Sequence, residues 1–443
     1  MALPNEFAYS SLKPSAAPAR GYVARLTPEA GTSFSGGQMF EITIPCGRPG
    51  EYLRATESSL CFRVQNSGAY AAASTTVNNV EFSGGAWSVI QKISVFHGAA
   101  LISEIDDYAS LHQLLYNGTA SAEYTQGIGH AIHGTAQSTA NAMKPSDLLK
   151  GATIQGRQTS TTGPVGEYYA ALQLINPIIG TTAERAIPTG LMSADIRVQI
   201  TLNPDETAFV YSGTPVITYD QVEFHAQIVQ LDPTIDQEVA AANDGVLSFH
   251  AADFRMYAHS IRQSAAFDIV SLPMRFSSLR YALHIMRPQT NISAAAKRSI
   301  DGREKATLIS YQFRRGGELV PQRPVAVSDS NTSQVTLELL KIFGKLESLG
   351  ADHGIMFTDK GLFTNNDTSG SSTQGQFVFG ADLNAFSSSL DDLVNSGANL
   401  LSTPLALELN FSSVPHDTRL TSFANYDMLV ILDMTTGLLN TRF

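Results

Sequence analysis

Two histidines and two pairs of adjacent aspartates are the side chains most able to do chemistry in this sequence. His130 and His133 lie three residues apart, and the aspartate pairs are Asp106-Asp107 and Asp391-Asp392. Imidazoles at such a spacing can ligate a metal ion. Two neighbouring carboxylates can act as acid and base, as in glycoside hydrolysis. The surroundings of these residues decide between such roles and ordinary ones.

Those surroundings favour ordinary roles. The histidine pair lies in a segment rich in Gly, Ala and Thr, without a nearby cysteine or third histidine. Both aspartate pairs fall in the first turns of predicted helices, where acidic groups favour the helix dipole. The chain has no Gly-x-Ser-x-Gly elbow, and Gly344-Lys345 is followed by leucine, so it does not form a phosphate loop. The sequence therefore predicts no catalytic, cofactor-binding or metal-binding residues, and no small-molecule substrate.

The composition indicates a β protein with large contact surfaces. Charged residues make up 16% of the 443 residues, against about a quarter in typical soluble domains. The N-terminus lacks the basic and apolar regions of a signal peptide. Cys46 and Cys61 are expected to be buried free thiols on adjacent strands, since a chain this long needs no disulfide. These features predict folding in the cytosol.

Positive charge is concentrated in one stretch. Residues 253–323 contain twelve Lys or Arg residues and five acidic ones, a balance of +7, so the rest of the chain carries −18 of the total of −11. Two interpretations stay open. The arginines pair with acidic groups of the chain or of a neighbour, or they form a face toward nucleic acid or an anionic membrane.

Hydrophobic residues alternate with polar ones along much of the chain. Ile196–Leu202 and Leu405–Phe411 show this period of two, which predicts half-buried strands in antiparallel sheets. Helices are few. The clearest candidates are 104–116, a segment from Thr234 to about residue 243, and 333–349, where Val335, Leu339, Ile342 and Leu346 share one stripe.

The two halves of the chain repeat the same order of features. A turn at His97-Gly98 and one at Arg315-Gly316 each follow a strand and precede a helix with a Leu-Leu pair. An alternating strand that ends in Leu-Asn and a later strand that ends in Leu-Asp follow in both halves, at offsets of 207 and 201 residues. This order predicts two copies of one β unit.

The stretch QFRRGGELVPQRPVAV, residues 312–327, is predicted to form a hairpin. Gly316-Gly317 is a turn signal between two extended pieces. Pro321 and Pro324 exclude the outgoing piece from the middle of a sheet. Residues 312–327 therefore form the tip and the outgoing edge of a hairpin.

Four segments carry a resemblance to a known family. They are FHGAALISEIDDYASLHQLL (96–115), FRRGGELVPQRPVAV (313–327), GQFVFGADLNAF (375–386) and the closing strand. Together they resemble the double jelly-roll major capsid proteins of the viral lineage that includes adenoviruses, polinton-like viruses, adintoviruses and virophages. The likeness extends from about residue 36 to 443, in a chain shorter than most relatives from algal virophages and giant viruses.

The resemblance implies an all-β fold of two tandem eight-stranded jelly-roll sandwiches with a few short helices. The implied boundaries are an N-terminal arm at 1–35, the first jelly roll at 36–233, a linker at 234–247 and the second jelly roll at 248–443. It also implies a homotrimer of pseudo-hexagonal outline that tiles an icosahedral shell around double-stranded DNA. The protein would fold in the host cytoplasm or nucleus and reside in the virion.

The implied partners are further copies of the trimer, penton and minor capsid proteins, and the genome or an internal membrane at the inner surface. Within the trimer, the hairpin lies at a domain edge. There Arg314, Arg315 and Arg323 are candidate contacts to acidic groups of a neighbouring subunit.

Two alternatives stay open, and the second comes from another class. One is a capsid protein of a small RNA or single-stranded DNA virus, with one jelly roll and a projecting domain. Such proteins often carry an Arg-rich arm, whereas residues 1–35 contain only Lys13, Arg20 and Arg25 as basic residues. The other is a β-sandwich protein that binds or cleaves glycans, which would need clustered exposed aromatics and a carboxylate pair.

Overall fold

The fold is taken from a computed structural model of the chain. The structure describes residues 19–70, 78–135, 151–155, 157–158, 166–183, 185–292, 294, 299–328, 332–344, 354–357, 376–384 and 397–443. The Asp391-Asp392 pair, Leu346 and the rest of the predicted helix beyond residue 344 lie outside the described residues.

The strands of the first half are β1 (Ala19–Leu26), β2 (Met39–Ile44), β3 (Glu51–Leu53), β4 (Ser59–Asn66), β5 (Ala69–Tyr70), β6 (Val80–Phe82), β7 (Ile90–His97), β8 (Ala100–Asp106), β9 (Thr153–Ile154), β10 (Arg157–Gln158), β11 (Gly166–Leu172), β12 (Ile196–Leu202), β13 (Phe209–Tyr211) and β14 (Ile217–Leu231). The strands of the second half are β15 (Val246–Ile261), β16 (Phe267–Leu272), β17 (Leu279–Pro288), β18 (Leu308–Arg315), β19 (Glu318–Ala326), β20 (Phe379–Asp382), β21 (Leu405–Phe411), β22 (Thr418–Asp433) and β23 (Leu438–Arg442). The α-helices are α1 (Tyr108–Thr119), α2 (Ala122–Tyr124), α3 (His130–His133), α4 (Asp205–Ala208), α5 (Thr234–Ala242) and α6 (Ser333–Ile342).

Two sheets form the first sandwich. One has the order β1-β14-β4-β11 and the other the order β2-β12-β7-β8, with antiparallel pairing throughout. The period of two in β12 produces this packing, because Ile196, Val198 and Ile200 are buried while the residues between them are half-buried. The inward residues of both sheets form the core of the sandwich.

The second sandwich repeats the first strand for strand. Its sheets have the orders β15-β22-β17-β20 and β16-β21-β18-β19. Each position in these orders corresponds to one in the first sandwich, in the same chain order. Two four-stranded sheets in each half confirm the predicted repeat and the predicted fold of two tandem jelly rolls. A single jelly roll with a projecting domain does not fit this architecture.

Each sandwich also has one short additional strand. In the first, β3 pairs with the end of β14, and in the second, β23 pairs with the end of β22. The two strands occupy equivalent places but come from different parts of the chain. The C-terminal residues therefore complete the second sandwich.

The structure places three predicted boundaries differently. β1 pairs with β14 along its whole length, so residues 19–26 of the predicted arm belong to the first sandwich. The predicted helix at 104–116 begins only at Tyr108, because residues 104–106 pair with β7 as part of β8. α5 lies within the predicted linker, and β15 begins before that linker's predicted end. The remaining domain boundaries stay a prediction.

Both cysteines are free thiols, as predicted, but they are not on adjacent strands. Cys46 follows β2 in one sheet, whereas Cys61 lies on β4 in the other. Both side chains are half-buried rather than buried. Among the helices in the described ranges, none is long and apolar enough to span a membrane.

Candidate subunit-contact surfaces

The hairpin at 312–327 has the predicted form. β18 and β19 pair in antiparallel fashion around Gly316-Gly317, and Gly316 adopts a φ of 59°, which favours glycine. β19 is the last strand of its sheet, so Pro321 and Pro324 lie on an edge, where a missing N–H donor is tolerated.

The three candidate arginines differ in what they contact. Arg314 forms an ion pair of 2.7 Å with Glu408 on the neighbouring strand β21. Arg315 pairs with Glu318 across the turn. Arg323 is exposed, and within the described residues it forms no ion pair. Their contact with another subunit stays a prediction, and Arg323 is the member whose charge is least satisfied by its own chain.

Other arginines of the basic stretch pair within the chain. Arg303 lies 2.8 Å from Asp301, and both side chains are buried. Arg280 lies 3.9 Å from Asp427. These pairs favour the interpretation in which the positive charge of residues 253–323 is matched locally.

A seam joins the two sandwiches where edge strand β8 lies beside edge strand β15. Ser103 of β8 donates a hydrogen bond of 3.0 Å to Asp253 of β15. The hydroxyl of Tyr426 donates to the second oxygen of Asp253 at 2.9 Å, and Asn176 donates to Ser103 at 3.1 Å. Burial raises the pKa of Asp253 to about 6, although the hydrogen bonds from Tyr426 and Ser103 favour its charged form.

A second polar contact joins the two sandwiches at the start of α1. Arg287, at the end of β17, donates to Asp107 at 2.5 Å and to Ser110 at 2.8 Å. Burial alone would raise the pKa of Asp107. The charge of Arg287 and the Ser110 hydroxyl outweigh that effect, and the pKa lies below its usual value.

β23 and the turn before it form two further hydrogen bonds between the sandwiches. The backbone N–H of Leu439 donates to Nδ1 of His97 at 3.3 Å. In the turn before β23, the carbonyl of Gly437 accepts a hydrogen bond of 2.9 Å from the N–H of Ser193. Both contacts connect the second sandwich to turns of the first.

In the part of the chain that the structure describes, the seam leaves two equivalent edges, β1 and β19, without a partner sandwich. β1 occupies the position in its sheet that β15 has in the second sandwich, and β19 occupies the position of β8. β1 is poorly covered, with Val23 53% exposed and Arg25 also exposed. Each chain therefore has two such edges, β1 and β19, that correspond to the two strands of the β8–β15 seam.

Comparison with solved structures identifies this arrangement. The mavirus major capsid protein superposes with a TM-score of 0.55 at 11% identity, over 100% of this chain and 95% of that chain. VP54 of PBCV-1, from a crystal structure fitted into a reconstruction of the virophage Sputnik, superposes with a TM-score of 0.59 at 11% identity, over 98% of this chain and 99% of that chain. The chain has the double jelly-roll fold.

The cryo-EM structure of the Sputnik virophage contains a further chain of this fold, with a TM-score of 0.59 at 12% identity over 100% of this chain and 91% of that chain. No family model and no curated protein sequence matches the chain. At these identities the likeness establishes the double jelly roll. It covers both sandwiches in each case, so the two units and their seam belong to one fold.

The histidines considered first as metal ligands are packed within this double jelly roll. Nδ1 of His130 donates to the carbonyl of Thr135 at 2.6 Å, and Nε2 of His133 lies 3.3 Å from the Tyr124 hydroxyl. Burial lowers the pKa of His133. Over the described ranges, no three His, Cys, Asp or Glu side chains converge as a metal site would require.

The aspartates considered as a catalytic pair have separate partners. Asp106 lies 3.4 Å from Lys92, whereas Asp107 binds Arg287 at the seam.

The sequence analysis did not predict the role of Asp253 at the seam. The available signal was a single carboxylate at an inward position of the apolar run AADF, where a buried partner is needed.

Proposed function

We propose that the chain is a viral major capsid protein whose homotrimers tile an icosahedral shell around a double-stranded DNA genome. One observation carries the proposal. The β8–β15 seam joins the two sandwiches of a chain, and among the described residues the equivalent edges β19 and β1 have no such partner in that chain. The double jelly-roll fold, which solved capsid proteins share, supports the same role.

The two unmatched edges suit a head-to-tail ring. If β19 of one chain meets β1 of the next as β8 meets β15, each contact reproduces the geometry of the seam. Such heterologous contacts form a closed ring when the rotation between chains allows it. Three chains would place six similar sandwiches around one axis and give the trimer a pseudo-hexagonal outline.

Arg323 fits this ring because it lies on β19, at the edge that would meet the next chain. Its exposed charge would pair with an acidic group of the neighbouring subunit, while Arg314 and Arg315 keep their acidic partners within the chain. The charged fraction of only 16% agrees with large surfaces that neighbours cover.

The shell would need further partners. The trimer would contact neighbouring trimers, and penton and minor capsid proteins would complete the capsid. Its inner surface would face the genome or an internal membrane. Assembly would follow folding in the host cytoplasm or nucleus, and the protein would have no enzymatic role.

Light scattering of the purified chain tests the proposal. A trimer has three times the chain mass of 47.6 kDa. Obligate interfaces commonly bury more than about 2,000 Å², so the trimer should persist on dilution. Negative-stain electron microscopy should then show particles with a hexagonal outline. A stable monomer or dimer without denaturant would contradict the proposed function.

A further inference from the structure

A helical segment of the first sandwich exposes an apolar face. α2, a π-helical turn at Thr125–Gly129 and α3 form one continuous helical segment over residues 122–133. Tyr124, Ile128 and Ile132 recur every four residues on it and are 38%, 57% and 36% exposed. Residues at this spacing share one face of a helix. We call these three residues the apolar stripe.

The opposite face of the segment is fixed in place. Tyr116 donates a hydrogen bond of 3.1 Å to Thr125, and Thr135 donates one of 2.7 Å to the Thr125 carbonyl. A Cβ on Gly129 would lie 2.5 Å from the Tyr116 hydroxyl and 3.0 Å from the Tyr124 carbonyl oxygen, so the segment packs closely at this position. The apolar stripe therefore cannot turn inward to bury itself.

The equivalent helices of the two sandwiches differ in how far they are covered. α1 and α6 are equivalent helices, since each follows the last strand of the sheet β2-β12-β7-β8 or its counterpart. α1 buries ten of its twelve residues. Among the residues of α6, only Val335 and Leu339 are buried, and Leu337 is 44% exposed.

The second sandwich supplies part of the cover of α1, at the end of that helix. The Phe343 ring lies against Gly118, where an added Cβ would come within 2.4 Å of it. The N–H of Ile355 donates to the carbonyl of Ala120 at 3.1 Å. Phe343 and Ile355 belong to the connection that leads from α6 to β20. The counterpart in the first sandwich leads from α1 to β11, and it contains the apolar stripe.

We propose that the apolar stripe docks against the uncovered face of α6, around Leu337, in a second copy of this chain. The inference rests on the ring of the proposed function, in which the second sandwich of one chain meets the first sandwich of the next. There the stripe covers α6 as the connection with Phe343 and Ile355 covers α1. Gly127 and Ala131, exposed beside the stripe, allow a helix to approach closely.

Two variants test this docking separately. Ile128→Glu/Ile132→Glu places charge on the stripe and leaves α6 intact, whereas Leu337→Glu does the reverse. We expect each variant to be a folded monomer under conditions where the wild type is a trimer. Because the contact is head-to-tail, an equal mixture of the two retains one intact stripe and one intact α6. The mixture should therefore form a dimer with one copy of each variant, measured by analytical ultracentrifugation and native mass spectrometry.

The outcomes distinguish the docking from the proposed function. A wild type that is not a trimer contradicts the proposed function itself. A trimeric wild type with trimeric variants overturns the docking alone, as does a failure of the mixed variants to form the dimer. Ile269→Glu on β16, where Ile269 is 54% exposed, is the control and should leave the trimer intact. Dissociation of this control would overturn the assignment as well.

Discussion

Arg287 of the second sandwich donates a hydrogen bond to Asp107 of the first across 2.5 Å, and the arginine side chain is only 4% exposed. The pair joins the end of β17 to the start of α1, so it ties together two elements that lie far apart in the sequence. A buried ion pair contributes little net stability, but loss of one partner leaves an uncompensated charge. Removal of either partner should therefore lower the free energy of unfolding.

Replacing this arginine should destabilise the whole chain. In Arg287→Met the apolar stem remains while the charge is lost, which leaves Asp107 without its cation. We expect the free energy of unfolding, measured with urea, to fall by about 3–5 kcal/mol. Arg314→Met removes an arginine from an exposed pair with Glu408 and should cost less than about 1 kcal/mol. Equal losses in the two variants would contradict the role of the seam pair.

Asp253 should make the fold less stable as pH rises, whereas a salt-bridged carboxylate makes a fold more stable as pH rises. Burial raises its pKa to about 6, well above the ordinary aspartate value that applies in the unfolded chain. A group of this kind stabilises the fold below the unfolded pKa, and the contribution is lost as pH rises through the folded pKa. Asp253→Asn cannot ionise, so it removes that dependence.

We therefore expect Asp253→Asn to gain stability relative to the wild type as pH rises from about 4 to about 7, by about 2–3 kcal/mol over that range. Urea unfolding of both proteins at several pH values measures this difference. Tyr426→Phe removes one hydrogen bond to the carboxylate and should retain the pH dependence. Parallel stability curves for Asp253→Asn and the wild type would mean that Asp253 does not titrate in this range.

The sequence allowed a good prediction of the regular elements. β12 and β21 alternate strictly, so their burial follows from their residues alone. The hairpin at 312–327 was predictable because two glycines and two prolines constrain it locally. The repeat was predictable because equivalent strands end in similar residues.

The remaining features depend on contacts that a linear pattern does not show. β1 has the sequence ARGYVARL. Its half-buried Tyr22, Ala24 and Leu26 alternate with exposed residues, but the apolar Val23 lies on the exposed side, so the sequence alone shows no clear alternation. Asp107 and Arg287 are 180 residues apart, and neither position indicates the other. The contact of Arg315 with Glu318, by contrast, is only three residues apart and lay within reach of sequence reasoning.

Two leucines of α6 should respond differently to the same change. Leu339 is fully buried against the second sandwich, so Leu339→Asp buries a carboxylate without a partner. We expect a loss of at least several kcal/mol, seen as insoluble protein or a much lower melting temperature. Leu337→Asp lies on the exposed side of the same helix and should keep the melting temperature of the monomer. An unchanged melting temperature in both variants would show that Leu339 is not part of the core.

Truncation should separate the N-terminal residues from the first sandwich. Deletion of residues 2–18 leaves β1 and should give a folded chain. Deletion of residues 2–30 removes the strand that pairs with β14 from Ala19 to Leu26, which exposes that long strand as a new edge. We expect the longer deletion to aggregate, as measured by soluble yield and circular dichroism. A soluble, cooperatively folding 2–30 deletion would show that β1 is dispensable for the fold.

Arg323 offers the most direct test of the predicted arginine contacts between subunits. A double change of Arg314 and Arg315 to glutamate would also repel Glu408 and Glu318 within the chain, so it would mix folding with assembly. Arg323→Glu reverses an exposed charge on β19 that has no ion pair within the described residues. We expect the monomer to keep its melting temperature while the trimer dissociates at higher protein concentration than the wild type. Raised salt should also weaken the wild-type trimer, because exposed ion pairs are screened.

Arg262→Glu, in the exposed turn after β15, is the matched charge reversal and should leave the trimer unchanged. An unaltered trimer in Arg323→Glu would remove Arg323 from the subunit contact.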